Sequence, residues 1–170
     1  MANNWEINYN PQNLLPARGS LQGATLKAFN TTTTNRPAYA FDDTTLEAVS
    51  TAPFIAPENT DSGAIKCELK ISAESDVSNT AAFAAAMECI TDAESLDLET
   101  ADSYATESTG SVTLSGTAGD QHKIEITIAT TDGITAGDQV RLLIYRDAPT
   151  TDTALDDVYL WSARLYQEAT

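Results

Sequence analysis

The residues that could carry out acid-base or nucleophilic chemistry in this chain are few and scattered. The only histidine is His122, in the loop-like run GDQHK that ends at Lys123. A serine, threonine or cysteine nucleophile needs a base positioned within hydrogen-bonding reach, and His122 has no neighbouring nucleophile in such a pattern. We interpret His122 as a solvated turn histidine at the start of a strand, and we predict no catalytic residue.

Two pairs of adjacent carboxylates are the next candidates, because two carboxyl groups can cleave a glycosidic bond. They are Asp42 with Asp43, and Asp156 with Asp157. Neighbouring residues on one strand point to opposite faces of a sheet, so neither pair has the geometry of a working acid and base. The sequence therefore predicts that the protein is not an enzyme.

Metal binding is the remaining chemistry that these side chains could support. Four aspartates crowd one predicted loop: Asp147, Asp152, Asp156 and Asp157. Hard oxygen ligands suit Ca²⁺, but without an imposed loop geometry these residues specify no coordination shell, and a hydrated loop is the prediction. Cys67, Cys89 and the single histidine are too widely spaced for a zinc site. We predict no metal, no cofactor and two buried free thiols, since both cysteines lie in apolar segments.

The charge of the chain limits the partners that it can have. Twenty-five acidic residues against nine basic ones give a formal net charge of -16. Such a charge repels phosphate backbones and anionic lipid headgroups, so we expect no nucleic acid and no membrane as partner. No segment approaches the run of about 20 apolar residues that spans a bilayer. The start of the chain lacks the basic and apolar stretches of a secretion signal, which predicts synthesis in the cytoplasm.

Short apolar segments recur between turn-forming residues from about residue 37 onward, which is typical of a β-sandwich or barrel. Eight strands are predicted, at residues 38–41, 46–54, 63–72, 80–90, 112–114, 123–130, 140–145 and 157–166. The clearest is 63–72, where Ile65, Cys67, Leu69 and Ile71 alternate with charged residues. Residues 80–90 have high helix propensity, but their length and period-two apolar face favour a buried strand. The predicted fold is all-β: an antiparallel, jelly-roll-like β-sandwich.

The first 35 residues show no sustained period and are predicted to form an extended N-terminal arm. Isolated large apolar residues stand in this segment without the density needed for a core of their own: Trp5, Ile7, Tyr9, Leu14 and Leu15. Such residues should dock on the body of this chain, on a neighbouring copy or on another protein. The domain prediction is therefore an arm at 1–35 and a jelly-roll β-sandwich at 36–170.

Several turn and strand signatures together carry a resemblance to a known family. They are RPAYAFDDTTLEAV at 36–49, PENTDSG at 57–63, AESLD at 93–97 and DGITAGDQVRLLIYRD at 132–147. In these signatures, residues 36–168 resemble the small jelly-roll domain of tailed-bacteriophage virion proteins, found in decoration, head-fibre and tail-associated chains. The resemblance implies a β-sandwich, a homotrimer around a threefold axis and a location on the outside of a virion.

Two functions are compatible with this resemblance. In the first, a homotrimer decorates the outer capsid surface as a cement protein, and the five apolar residues of the arm bind the major capsid protein and stabilise the shell. In the second, the chain is a tail- or fibre-associated receptor- or carbohydrate-binding module with an aromatic platform at Tyr39, Tyr104 or Tyr159. The short chain and the lack of a heptad pattern favour capsid decoration.

Overall fold

The polypeptide folds into two β-sheets packed face to face, which confirms the predicted all-β sandwich. The computed structural model describes residues 3–17, 21–30, 35–75, 79–91, 102–146 and 152–170. Sheet A contains β1 (Asn3–Tyr9), β4 (Thr25–Asn30), β5 (Asn35–Phe41), β8 (Ile65–Ala73), β11 (His122–Thr127) and β13 (Val158–Glu168). Sheet B contains β2 (Leu14–Pro16), β3 (Gln22–Gly23), β6 (Glu47–Thr51), β7 (Phe54–Ile55), β9 (Thr80–Ile90), β10 (Ser108–Thr113) and β12 (Gln139–Arg146). A 3-10 turn, Pro11–Asn13, connects β1 to β2.

The long strand β13 organises sheet A. The strands follow the order β11-β8-β13-β5-β4, and β13 pairs with β8 along most of its length. On its other side, residues 158–160 pair with β5, while residues 163–168 pair with β1. In sheet B the order is β10-β9-β12-β6-β2, and the pairings are antiparallel except for β3, which lies parallel to β6.

The alanine-rich segment at residues 80–90 is a strand, β9, as the sequence predicts. Residues 81–89 are all buried, and β9 is flanked by β10 on one side and β12 on the other. Small side chains on both faces let the covering layers approach closely, whereas a helix would bury only one stripe. Tertiary pairing therefore overrides the high helix propensity of alanine in this segment.

The core lies between the two sheets. The predicted alternation in β8 is confirmed, because Ile65, Cys67, Leu69 and Ile71 are buried and the lysines and glutamate between them are half-buried. Phe41 of β5 packs edge-on against Phe83 of β9, with 5.2 Å between the ring centroids. This aromatic contact joins sheet A to sheet B.

The N-terminal segment lies within the sandwich, which differs from the predicted division at residue 35. Residues 3–9 pair with β13 and residues 14–16 pair with β6. Trp5, Tyr9 and Leu14 are buried in the common core, while Ile7 is half-buried and Leu15 is 53% exposed. The reason is that β13 extends beyond β5 and offers a strand edge, onto which the alternating residues of β1 pair. That these residues contact a partner protein stays a prediction. Of the five, Ile7 and Leu15 leave apolar surface exposed for such a contact.

Cys67 and Cys89 are both buried and are not joined in a disulfide bond, as expected from their apolar surroundings. Burial raises the pKa of the Cys67 thiol to about 12, so it stays protonated. Among the described residues, no helix is long and apolar enough to cross a membrane.

Candidate binding cleft

A cleft of about 680 Å³ opens on the outer face of sheet B. One side is formed by Leu15, Pro16, Ala17 and Leu21 and the other by Asp102, Tyr104 and Arg141, with Ser50 and Leu143 between them. The first side comes from β2 and the residues after it. The second combines β12 with the segment that precedes β10. The cleft thus depends on segments far apart in the chain.

The floor of the cleft is a row of side chains that crosses three strands. Leu15 of β2 lies opposite Ser50 of β6, and Ser50 lies opposite Leu143 of β12. Because side chains alternate across a strand, residues in one register row share a face of the sheet. Two leucines and one serine hydroxyl therefore form a largely apolar floor.

The wall is built around the guanidinium group of Arg141. In the pairing of β12 with β9, Arg141 lies opposite Glu88, and its Nε donates to Oε2 of Glu88 at 2.5 Å. One of its terminal nitrogens donates to Oδ1 of Asp102 at 3.0 Å. The guanidinium carbon lies 5.6 Å from the centre of the Tyr104 ring, which is within cation–π distance. These contacts hold Arg141 in one orientation.

Glu88 is the buried support of this wall. Its side chain is fully buried, against 27% exposure for Arg141 and 65% for Asp102. Oε1 of Glu88 accepts the backbone N–H of Ser103 at 2.8 Å, so both of its oxygens have donors. The hydrogen bond to Glu88 raises the pKa of Arg141, which therefore stays charged. Burial raises the pKa of Tyr104 to about 12, so its phenol stays neutral.

The combination of floor and wall suits a ligand with both apolar faces and hydroxyl groups. Apolar side chains and an aromatic ring can cover the C–H face of a sugar ring. The guanidinium donates hydrogen bonds, the exposed carboxylate of Asp102 accepts them, and the hydroxyl of Ser50 can do either. A few polar groups placed in a partly apolar concavity are typical of small-molecule and glycan sites.

Of the three tyrosines predicted as aromatic platforms, Tyr104 alone lines the cleft. Tyr39 is 3% exposed, and its hydroxyl donates to the carbonyl oxygen of Leu14. Tyr159 is 5% exposed and packs against Phe29, with 4.7 Å between ring centroids. The expectation for Tyr39 and Tyr159 is wrong because the Tyr39 ring lies in the core between the two sheets, while the Tyr159 ring is packed among side chains of neighbouring strands of sheet A.

Most of the candidate acid-base and metal residues have structural partners. Asp42 accepts backbone N–H groups of Thr44 and Thr45 in a tight turn, and Asp157 binds Lys27 at 2.6 Å. Asp152 pairs with Arg146, Asp156 accepts from Ser75, and Asp147 lies outside the described residues. His122 begins β11, as predicted, and its Nε2 accepts the N–H of Ser115. Within the described ranges, no group of three or more histidine, cysteine, aspartate or glutamate side chains could hold a metal ion.

Sequence reasoning did not identify Glu88 or Arg141 as site residues. A lone glutamate in an apolar run such as AAAMECI is a signal, because a buried carboxylate requires a paired cation. The sequence does not show which cation that is, since Arg141 lies 53 residues away and meets Glu88 only through the β9–β12 register.

No family model and no curated protein matches the chain. Solved structures with a similar fold include the carbohydrate-binding module CBM6cm-2 of lichenase 5A from Cellvibrio mixtus, in complex with cellotriose. Its TM-score is 0.52 at 12% identity, covering 96% of this chain and 98% of that one. The module CsCBM6-3 from Clostridium stercorarium, in complex with cellobiose, has a TM-score of 0.50 at 11% identity, covering 96% and 94%. At these identities the likeness establishes the jelly-roll sandwich alone and does not extend to the bacteriophage lineage.

Proposed function

We propose that this protein is a carbohydrate-binding module that takes an uncharged glycan into the cleft of sheet B. The observation that carries the proposal is the apolar floor beside the supported wall of Arg141 and Tyr104. The fold supports it, because the two similar modules were solved with cellotriose and cellobiose bound. Carbohydrate binding is thus better supported than the capsid decoration favoured by the sequence.

The charges of the wall favour an uncharged ligand. Among the described residues that line the cleft, Arg141 is the one cation, and it is engaged by the carboxylates of Glu88 and Asp102. The wall therefore carries a net negative charge within a chain of formal charge -16. Acidic sugars would be repelled by it, whereas neutral sugar hydroxyls can bond to Asp102 and to the remaining donors of Arg141.

In this proposal the module binds glycan without cleaving it. Both oxygens of Glu88 accept strong hydrogen bonds from Arg141 and Ser103, and the side chain is fully buried. A general acid or base must reach the proton that it transfers. Glu88 supports Arg141 and does not reach the open cleft.

The proposed location is a tail or fibre of a phage particle, reached after synthesis in the host cytoplasm. The resemblance of residues 36–168 to tailed-bacteriophage jelly-roll domains supports this location. A glycan on the bacterial surface would then be the receptor, and a homotrimer would engage it through three clefts, which raises the avidity of weak single sites.

A glycan array followed by titration calorimetry tests the proposal. The wild-type protein should bind at least one uncharged glycan, and Tyr104→Ala should weaken that binding by about tenfold or more because a ring contact is lost. Leu143→Ala should likewise weaken glycan binding, because it removes apolar surface from the floor. Arg36→Ala is the control, because Arg36 is exposed on β5 of the other sheet. Absence of binding to any glycan, or unchanged binding by both cleft variants, would refute the proposal.

Capsid decoration is the second candidate. Leu15 in the cleft and Ile7 in the neighbouring surface leave apolar area exposed, as a contact with the major capsid protein would need. Quantitative mass spectrometry of purified virions separates the two proposals. A copy number close to that of the major capsid protein supports decoration of the outer capsid surface, whereas a few to some tens of copies supports a tail or fibre.

A further inference from the structure

We propose that a second hollow next to the cleft is an extension of the glycan site, so that the ligand is the interior of an extended uncharged polysaccharide chain. This inference rests on the proposed function of the cleft. The hollow has a volume of about 370 Å³ and lies where the end of β1, the 3-10 turn and the link from β6 to β7 meet. Its lining combines primary amides with apolar side chains, and both kinds of side chain can contact sugars.

The hollow and the cleft share a lining residue. Leu15 lines both concavities. It stands on β2, at one edge of sheet B, and the residue is 53% exposed. A chain bound in the cleft that continues past the sheet edge would therefore cross Leu15 into the hollow. A ligand of one or two sugar units would not need this second surface.

The chemistry of the hollow matches that of an uncharged sugar chain. Three primary amides line it, those of Asn8, Gln12 and Asn13, and none of its lining residues is charged. Each amide offers two N–H donors and one acceptor oxygen, which complements pairs of sugar hydroxyls. Ile7 and Phe54 supply apolar surface for the C–H faces of the rings. In a chain of net charge -16, an uncharged hollow favours an uncharged occupant.

The hollow is formed by well-anchored backbone. The Asn10 side chain accepts the N–H of Gln12 at 2.9 Å, and the carbonyl of Asn13 accepts the N–H of Ala52 at 3.3 Å. The ring of Phe54 packs against Trp5 of β1, with 6.0 Å between centroids. A surface already ordered before binding loses little conformational entropy when the ligand arrives.

Titration calorimetry with oligosaccharides of increasing length tests the inference. The probes are uncharged cello-, xylo-, manno- and galacto-oligosaccharides of two to six units. Affinity should rise with length, and the double variant Gln12→Ala/Asn13→Ala should lower the affinity of the longest oligomers by about tenfold while leaving dimers unchanged. Both side chains are exposed, so the variant should fold normally. The control is Thr109→Ala/Ser111→Ala, at exposed positions of the edge strand β10.

The outcomes separate this inference from the proposed function. If no oligomer binds, the proposed function fails and the inference fails with it. If binding needs Tyr104 but the Gln12→Ala/Asn13→Ala variant binds every length as the wild type does, the cleft stands and the extension is overturned. Loss of capsid or protein binding in the double variant, with glycan affinity unchanged at all lengths, would assign the hollow to a protein partner and also overturn the inference.

Discussion

Arg146 is a fully buried guanidinium whose hydrogen bonds are made within the fold. It binds both oxygens of Asp152 at 2.9 Å and donates to the backbone carbonyls of Phe41, Ala154 and Asp156. Among the side chains, only arginine presents a planar set of N–H donors that can bind a carboxylate and several carbonyls at once. The cluster holds the chain that leads into β13 against the end of β5.

Arg146→Lys should therefore destabilise the protein by about 3 kcal/mol, because lysine cannot make the bidentate contact and leaves buried acceptors unpaired. Urea unfolding followed by tryptophan fluorescence measures this free energy. Arg36→Lys, an exposed change of the same kind on β5, should alter stability by less than about 0.5 kcal/mol. Equal effects of the two substitutions would contradict the structural role of Arg146.

Two buried or half-buried glutamates should affect the pH dependence of stability in opposite directions. Burial raises the pKa of Glu47, and the nearby Asp42 and Asp157 charges add to this. Burial also acts to raise the pKa of Glu68, but hydrogen bonds and charges from Lys70 and Arg164 outweigh it and lower that pKa. Glu68 thus stabilises the fold above its ordinary pKa, and that contribution is lost as the pH falls through its depressed folded-state pKa. Ionised Glu47 instead lowers the stability of the fold, because the folded state binds its proton more tightly than the unfolded state does.

Glu47→Gln should raise the free energy of unfolding at pH 7, and Glu68→Gln should lower it. The Glu47→Gln difference should shrink as the pH falls through the raised folded-state pKa of Glu47 toward the ordinary glutamate pKa. The Glu68→Gln difference should shrink at lower pH, between the ordinary pKa and the depressed folded-state pKa of Glu68. Urea titrations at several pH values between neutral and acid measure the effect. If both substitutions changed the free energy of unfolding in the same direction at neutral pH, the environments assigned to Glu47 and Glu68 would be wrong.

At the scale of elements, the turn before β8 depends on a glycine for space. A Cβ at Gly63 would overlap the carbonyl oxygen of Glu168, at the end of β13. The neighbouring backbone is already paired there, since the N–H of Glu168 donates to the carbonyl of Ala64 at 2.9 Å. Close approach of two backbone segments is thus possible only without a side chain.

Gly63→Ala should lower the free energy of unfolding by about 2 kcal/mol, because the end of β13 must move away from the turn. Thermal and urea unfolding give the value. Ser62→Ala, at the exposed preceding residue, is the matched control and should have little effect. Hydrogen exchange should show the change concentrated at the ends of β1, β8 and β13.

At the scale of the whole molecule, the net charge of -16 determines how ligand binding responds to salt. Binding of an uncharged glycan should change less than about twofold between low and physiological ionic strength, because no net charge is neutralised. Polygalacturonate, an acidic polymer, should not bind at low salt, where repulsion is strongest. Calorimetry at two salt concentrations distinguishes these cases. Tight, salt-sensitive binding of the acidic polymer would contradict the charge assigned to the cleft.

The oligomeric state is a second property of the whole molecule. The predicted homotrimer stays a prediction, and analytical ultracentrifugation of the purified protein measures it. A trimer would present three clefts to a glycan surface, whereas a monomer would require high affinity in each cleft.

Local sequence patterns are sufficient to predict the β-sandwich. Period-two alternation in residues 63–72 and 123–130, with turn residues between the apolar segments, specifies strands with one buried face. The length of the segment at 80–90 and its period-two apolar face are also sufficient to predict β9 against its helix propensity. These are local properties, which each segment carries within its own residues.

The cleft and the position of the N-terminal segment depend on contacts between distant parts of the chain. Arg141 meets Glu88 only because β12 and β9 pair in one register, and Leu15 meets Leu143 only across β6. Likewise, Trp5 and Tyr9 become core residues because β13 has a free edge to pair with β1. Strand register and sheet order are contacts between distant segments, and a single sequence does not encode them in any local pattern.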